Sequence, residues 1–148
     1  MSDADVKSMT AGLDCPTFES PAFTKPKPLA ESRVAIVSSA SLHHADQEDF
    51  SPGDTTFRTL DGNRDDLVLG HWSPNFDATG FAMDTNVVFP IDRLRELADA
   101  GRIGSVSDVN LSYAGNQFEL SEVRLDSGPA GAKLLVDAGV DVVLLTPV

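Results

Sequence analysis

His43, His44 and His71 are the three histidines of the chain, and they are its best candidates for chemistry near neutral pH. An unperturbed imidazole titrates close to neutrality, so it can serve as acid, base or metal ligand. His43 and His71 each follow a segment that reads as a strand, which would place both along one edge of a sheet. With Asp77 or Asp84 they could form a metal site or a general acid/base group. The plainer reading is that they are loop histidines bonded to backbone groups, since no HxH or HExxH spacing occurs. Asp77 and Asp84 flank Gly80. Paired carboxylates can divide acid and base roles, but Asp and Asn in such a loop more often satisfy its backbone.

Other nucleophiles and anion sites are weaker. Ser38-Ser39 and Thr79 offer hydroxyls without a GxSxG turn. Cys15 precedes Pro16 and has no flanking cation to favour its thiolate. Gly128-Pro129-Ala130-Gly131 opens a helix and could hold an anion there, although starting the helix is explanation enough. No GxGxxG follows a strand. No cofactor-binding residue and no metal ligand set is assigned.

The elements that must position these groups follow from patterning. Arg33 to Ser39 is a β-branched, nearly continuous apolar run, as suits a strand covered on both faces. Residues 40–65 read as one long polar loop, and Asp66 to His71 as a second strand. Asn86 to Pro90 leads into a helix with Ile91, Leu94, Leu97 and Ala98 on one face, Asp92 near its start and Gly101 as its carboxyl cap. A third strand falls within Gly104 to Tyr113. A second helix starts at Ser127-Gly128-Pro129, turns Ala130, Leu134, Leu135 and Ala138 inward, and ends at Gly139. The last strand is Val140 to Leu145. Strands alternating with helices predict an α/β fold. It would have a small, mostly parallel sheet with flanking helices in three Rossmann-like layers, incomplete at its carboxyl end. Residues 1–32, with Pro16, Pro21, Pro26 and Pro28, read as an extended arm lying on the domain, with room for a short first helix and with Phe18 and Phe23 as its anchors. Residues 33–148 then form a single α/β domain.

The bulk numbers exclude several partners. The 148 residues carry a net charge of -12 and a pI near 4.4. Binding nucleic acid or an anionic membrane surface needs clustered Lys and Arg, so neither is expected. One cysteine excludes an internal disulfide and a CxxC pair. The polar first ten residues are no signal peptide, and the expected compartment is the cytoplasm. A small-molecule substrate is expected, and a homo-oligomer is left open.

Two segments together resemble a known family. Asn86-Val87-Val88-Phe89-Pro90-Ile91-Asp92-Arg93-Leu94-Arg95-Glu96-Leu97-Ala98, followed by Gly101 and Ile103-Gly104-Ser105-Val106, is similar to a "VFPLDRLRELxxxGxIGS" signature. Gly139-Val140-Asp141-Val142-Val143-Leu144-Leu145-Thr146-Pro147-Val148 resembles "GVDAVLLTPV". Both belong to the selenoprotein B component of glycine, sarcosine, betaine and D-proline reductases. Asp14 to Glu19 and Asn75 to Gly80 look like its short, stand-alone members. The resemblance implies reductive cleavage of a carbon–heteroatom bond by a selenolate or thiolate, regenerated by a thiol redox partner protein. It implies that the sheet edge beyond Val148, with His43, His71, Asn75 and Asp77, binds and protonates the substrate. In the family the last motif is followed by selenocysteine or cysteine. The expectation is therefore a chain cut short at a selenocysteine codon. Three readings compete: such an oxidoreductase, a non-catalytic α/β module for a ligand or partner, and a metal-assisted hydrolase using His43, His71 and an acidic residue.

Overall fold

The computed structural model describes residues 2–12, 17–21, 23–72, 76–115, 117 and 120–148. Its centre is strand β1, Arg33–Ser38, whose residues alternate between two cores. Val34 and Ile36 pack against Phe89, Ile91, Leu94 and Ile103 on one face. Ala35, with Val37 packed beside it, meets Leu111 and Leu135 on the other. Period-two alternation puts these sets on opposite sides of the sheet. Helix α3 (Ile91–Asp99) thus covers one face and α4 (Gly128–Asp137) the other, giving three layers.

Strand β1 pairs in parallel with β7 (Val142–Thr146) along one side. Along its other side it pairs in parallel first with β5 (Ser105–Val106) and then with β6 (Val109–Tyr113). Strand β3 (Phe57–Asp61) adds to β6 antiparallel at the far edge. The sheet is α/β and mostly parallel, as the sequence pattern predicts.

Two differences lie in the long predicted loop. It contains β3 and also β2 (Leu42–His44). Strand β3 carries Arg58 and Asp61 and buries only Leu60, so its apolar content is that of an edge and gives little pattern to read. Strand β4 (Leu67–Leu69), the core of the second predicted strand, leaves the main sheet and pairs antiparallel with β2.

The predicted helix at Ile91 is present, and Gly101 follows it at φ 66°. Helix α4 ends before Gly139 at φ 73°. It also continues backward through a π-helical turn, Val123–Ser127, where sequence reasoning placed a break. The wider turn absorbs Pro129, which has no N–H to donate. Of the residues expected to face inward from α4, Leu135 is buried and Ala130 is exposed. In the amino-terminal segment, a helix α1 (Asp3–Ala11) precedes a stretch where Phe18 and Phe23 are 65% and 80% exposed, Phe18 lying under the Arg124 guanidinium at 5.7 Å.

Candidate functional site at the carboxyl edge of the sheet

Ligand sites of parallel sheets form where the strands end at their carboxyl side. Here β1, β6 and β7 end together. Just past β1, Ser39 donates its N–H to the Thr146 carbonyl at 3.2 Å, and its Oγ accepts from the Val148 N–H at 2.9 Å. Ser38 Oγ and Thr146 Oγ1 both donate to the Val88 carbonyl, at 3.1 and 2.9 Å. Two strands are thereby tied to the segment that leads into α3.

His71 reaches this edge from the small sheet. Gly70, just before it, donates to the Ser41 carbonyl at 2.9 Å. A Cβ at Gly70 would lie 2.6 Å from Asp49 Oδ1 and 2.9 Å from Ser41 O, so only glycine permits this approach. Ser41 itself takes φ 55°, a left-handed conformation costly for serine, at the bend that turns β1 into β2. The His71 ring then stacks on Phe76, with centroids 4.4 Å apart. Burial lowers its pKa below the ordinary 6.5, which favours the neutral ring at pH 7.

Gly115, beyond β6, is where the pieces converge. A Cβ built there would lie 2.7 Å from Ser39 O, 3.1 Å from His71 Nε2 and 3.4 Å from Val148 O. We expect Gly115→Ala to destabilise the fold by about 1–3 kcal/mol, the usual cost of overpacking. The nearest obstacle is backbone, which cannot swing aside. Urea denaturation reads the effect; an unchanged midpoint would mean that this edge is loose.

The other predicted site residues go elsewhere. His43 lies within β2 and is 5% exposed. Its Nδ1 is 2.9 Å from the His44 carbonyl, which only accepts, so that nitrogen carries the proton. Its Nε2 is 3.2 Å from Asp49 Oδ1, off the line of a hydrogen bond. His44 has a structural role. Its Nε2 accepts from the Asp61 N–H at 2.9 Å, and its Nδ1 donates to Asp66 at 2.7 Å. Hydrogen bonds from Arg64 and then His44 hold the Asp66 carboxyl far below the usual carboxylate range. That stabilisation is present above the ordinary aspartate value of 3.8 and is lost as pH falls below it.

Asp77 is exposed and accepts from the Thr79 N–H at 2.9 Å, which opens the short helix α2 (Thr79–Met83). Asp84 likewise accepts from the Asn86 N–H at 2.9 Å. Both do turn work. Asn75 and Cys15 lie outside the described residues. Among the described residues no three His, Cys, Asp or Glu side chains gather as a metal site would require. The edge thus brings together His71 with Ser39, Gly115 and Val148, and neither His43 nor the acidic residues join that set of contacts. Sequence reasoning passed over Gly115 because its only signal is a glycine just past a strand.

Residues 58–148 match the family described as glycine/sarcosine/betaine reductase selenoprotein B. The chain belongs to this family. It is also 32% identical to the D-proline reductase subunit gamma of Acetoanaerobium sticklandii over 151 aligned residues. That alignment takes in 99% of this chain and 62% of the relative, so the chain spans less than two thirds of the relative's length. No solved structure matches it. Of the residues that carry the family signature in this selenoprotein B chain, a minority pack in the core, whereas Leu97 and Val143 to Leu145 are exposed. Val88 and Phe89 are buried, the Val88 carbonyl takes the two hydroxyls, and Ile91, Leu94 and Ile103 fill the core. A Cβ at Gly104 would lie 2.7 Å from the Glu31 backbone, so that glycine is needed for close approach.

Proposed function

We propose that this selenoprotein B chain is a component of a reductase that cleaves a carbon–heteroatom bond in a small amino-acid-like substrate, at the carboxyl edge of its sheet beside His71. The observation that carries this is the meeting of His71, Ser39, Gly115 and Val148 where three strands end. Family membership supplies the reaction class. The candidate substrates are those in the family's and the relative's names: glycine, sarcosine, betaine and D-proline.

In this reading a thiolate or selenolate attacks the substrate carbon. The carbon–heteroatom bond breaks and the leaving heteroatom takes a proton. A thiol then attacks the sulfur or selenium of the adduct, the carbon takes a proton, and a disulfide or selenenylsulfide remains. Overall, substrate and two thiols give the reduced carbon, the protonated leaving group and a disulfide. A thiol redox partner protein supplies the electrons. His71, its neutral form favoured by burial, takes the proton of the thiol or selenol to generate the attacking anion and passes it to the leaving heteroatom. Ser39 fixes the backbone at Val148 beside it. The setting is cytoplasmic, where thiols stay reduced; no helix among the described residues is long and apolar enough to cross a membrane.

The test is dithiol oxidation by the enzyme purified with its associated subunits from its own host. Each of the four substrates is offered in turn. Dithiol consumption that depends on one of them, with release of the reduced product, is expected. Failure with all four, in an intact assembly, would sink the reductase reading and leave a binding module.

A further inference from the structure

The two edges of the main sheet are built differently. Strand β3 carries Arg58 and Asp61, charges that discourage another strand from adding. Strand β7 is Val142-Val143-Leu144-Leu145-Thr146, with no charge and no proline, the composition of a strand covered on both sides. Yet β7 pairs only with β1 among the described residues, and Leu145 is 68% exposed.

An apolar groove of about 540 Å³ adjoins that edge. Val37, Leu111 and Leu135 form its floor, and Val136, Val143 and Leu145 stand along it. Its one charged lining residue, Asp141, is held by Lys27 at 2.9 Å. Helix α4 packs beside β6, and Val143 and Leu145 of β7 line the groove while remaining exposed, so the groove reaches the edge strand. A second copy is a poor occupant, because each chain carries a net charge of -12 and like-charged copies repel.

We infer that the β7 edge and its groove seat polypeptide homologous to the part of the D-proline reductase subunit gamma that lies outside the match. A strand adds to β7 and apolar side chains fill the groove. Three observations carry this: the uncharged edge, the groove continuous with it, and a relative whose length this chain spans only to 62%. It rests on family membership and not on the proposed reaction, so its test needs no activity.

The test is photo-crosslinking in the protein's own host, with Leu145→p-benzoylphenylalanine and, as a control on the opposite edge, Thr59→p-benzoylphenylalanine. The crosslinked peptides are sequenced by mass spectrometry. We expect Leu145 to crosslink to sequence that aligns with the unmatched part of the relative, and Thr59 not to. Crosslinks to β7 of a second copy, to unrelated sequence, or to nothing would overturn the inference. With the crosslinker moved to Val143, Leu145→Lys should abolish the crosslink while far-UV circular dichroism of the chain stays unchanged. A crosslink that survives in that variant would also overturn it.

Discussion

His71→Asn is expected to lower kcat of the assembled enzyme roughly a hundred- to ten-thousand-fold, the range for losing a positioned acid–base group. Asparagine keeps a polar side chain of similar reach but cannot take up a proton near neutrality. KM should change little, since the proposed role of the imidazole is proton transfer and not substrate binding. The pH profile separates this role from a structural one. Burial lowers the His71 pKa below 6.5, so the active, neutral ring predominates at pH 7. The wild-type rate should fall on the acid side only below that ordinary value, as the ring gains its proton. In His71→Asn that acid limb should vanish. A variant that keeps the limb, or loses less than tenfold, would move the proton-transfer role to another group. His71→Phe is a useful companion, because it preserves the stack on Phe76 and removes both nitrogens. If it behaves like His71→Asn in rate, the loss is chemical and not a collapse of the loop.

Continuous apolar runs were legible in the sequence, and short strands with mixed composition were not. Strand β1 and the last strand announce themselves by continuous apolar runs, and α3 by its apolar face with Gly101 behind it. In β1 and α3 burial dictates residue type, whereas β7 keeps its apolar run although Val143, Leu144 and Leu145 are exposed. Strands β2 and β3 are short, lie in polar surroundings and owe their shape to partners far along the chain, so no local period reveals them. The π-helical turn before Pro129 is likewise a tertiary solution to a local conflict. The site was half visible. His71 stood out by type, and Ser38-Ser39 by following a buried strand. That His71 and His43 would keep different company was not visible, because it depends on β4 pairing with β2 instead of joining the main sheet. Gly115 matters through the atoms around it, which only the fold supplies.

The largest stability loss is expected from a residue with no catalytic role. Between β5 and β6 the chain bulges: residues 107–110 lie opposite only Ala35 and Ile36 of β1. The ladder is broken there, in the middle of the sheet, where no water reaches Ile36. Asn110, wholly buried, repairs it with its side chain. Its Oδ1 accepts from the Ile36 N–H at 2.8 Å, and its Nδ2 donates to the carbonyls of Ser107 at 3.2 Å and Leu60 at 3.5 Å. Three strands are thus tied through one amide. Asn110→Leu keeps the branched shape, with bulkier ends, but orphans a buried N–H, which costs about 1–3 kcal/mol by itself, and leaves two carbonyls underbonded. A total near 3 kcal/mol is expected, a large share of the roughly 5–15 kcal/mol that holds a domain together. Asn110→Asp separates the two halves of the effect. It keeps the acceptor for Ile36 and removes the donors. Burial penalises its charged form, so its folded pKa rises above the unfolded value of about 3.9. Its stability relative to the wild type should therefore be greatest in acid and fall as pH rises past that value, opposite in sign to the contribution of the paired Asp66. Urea denaturation across pH measures both variants, and a loss below about 1 kcal/mol for Asn110→Leu would show that the bulge is held by other means. If the loss is as large as expected, Asn110 also sets the register of β6 on β1. That register decides whether Gly115 meets Ser39, His71 and Val148 at the carboxyl edge of the sheet.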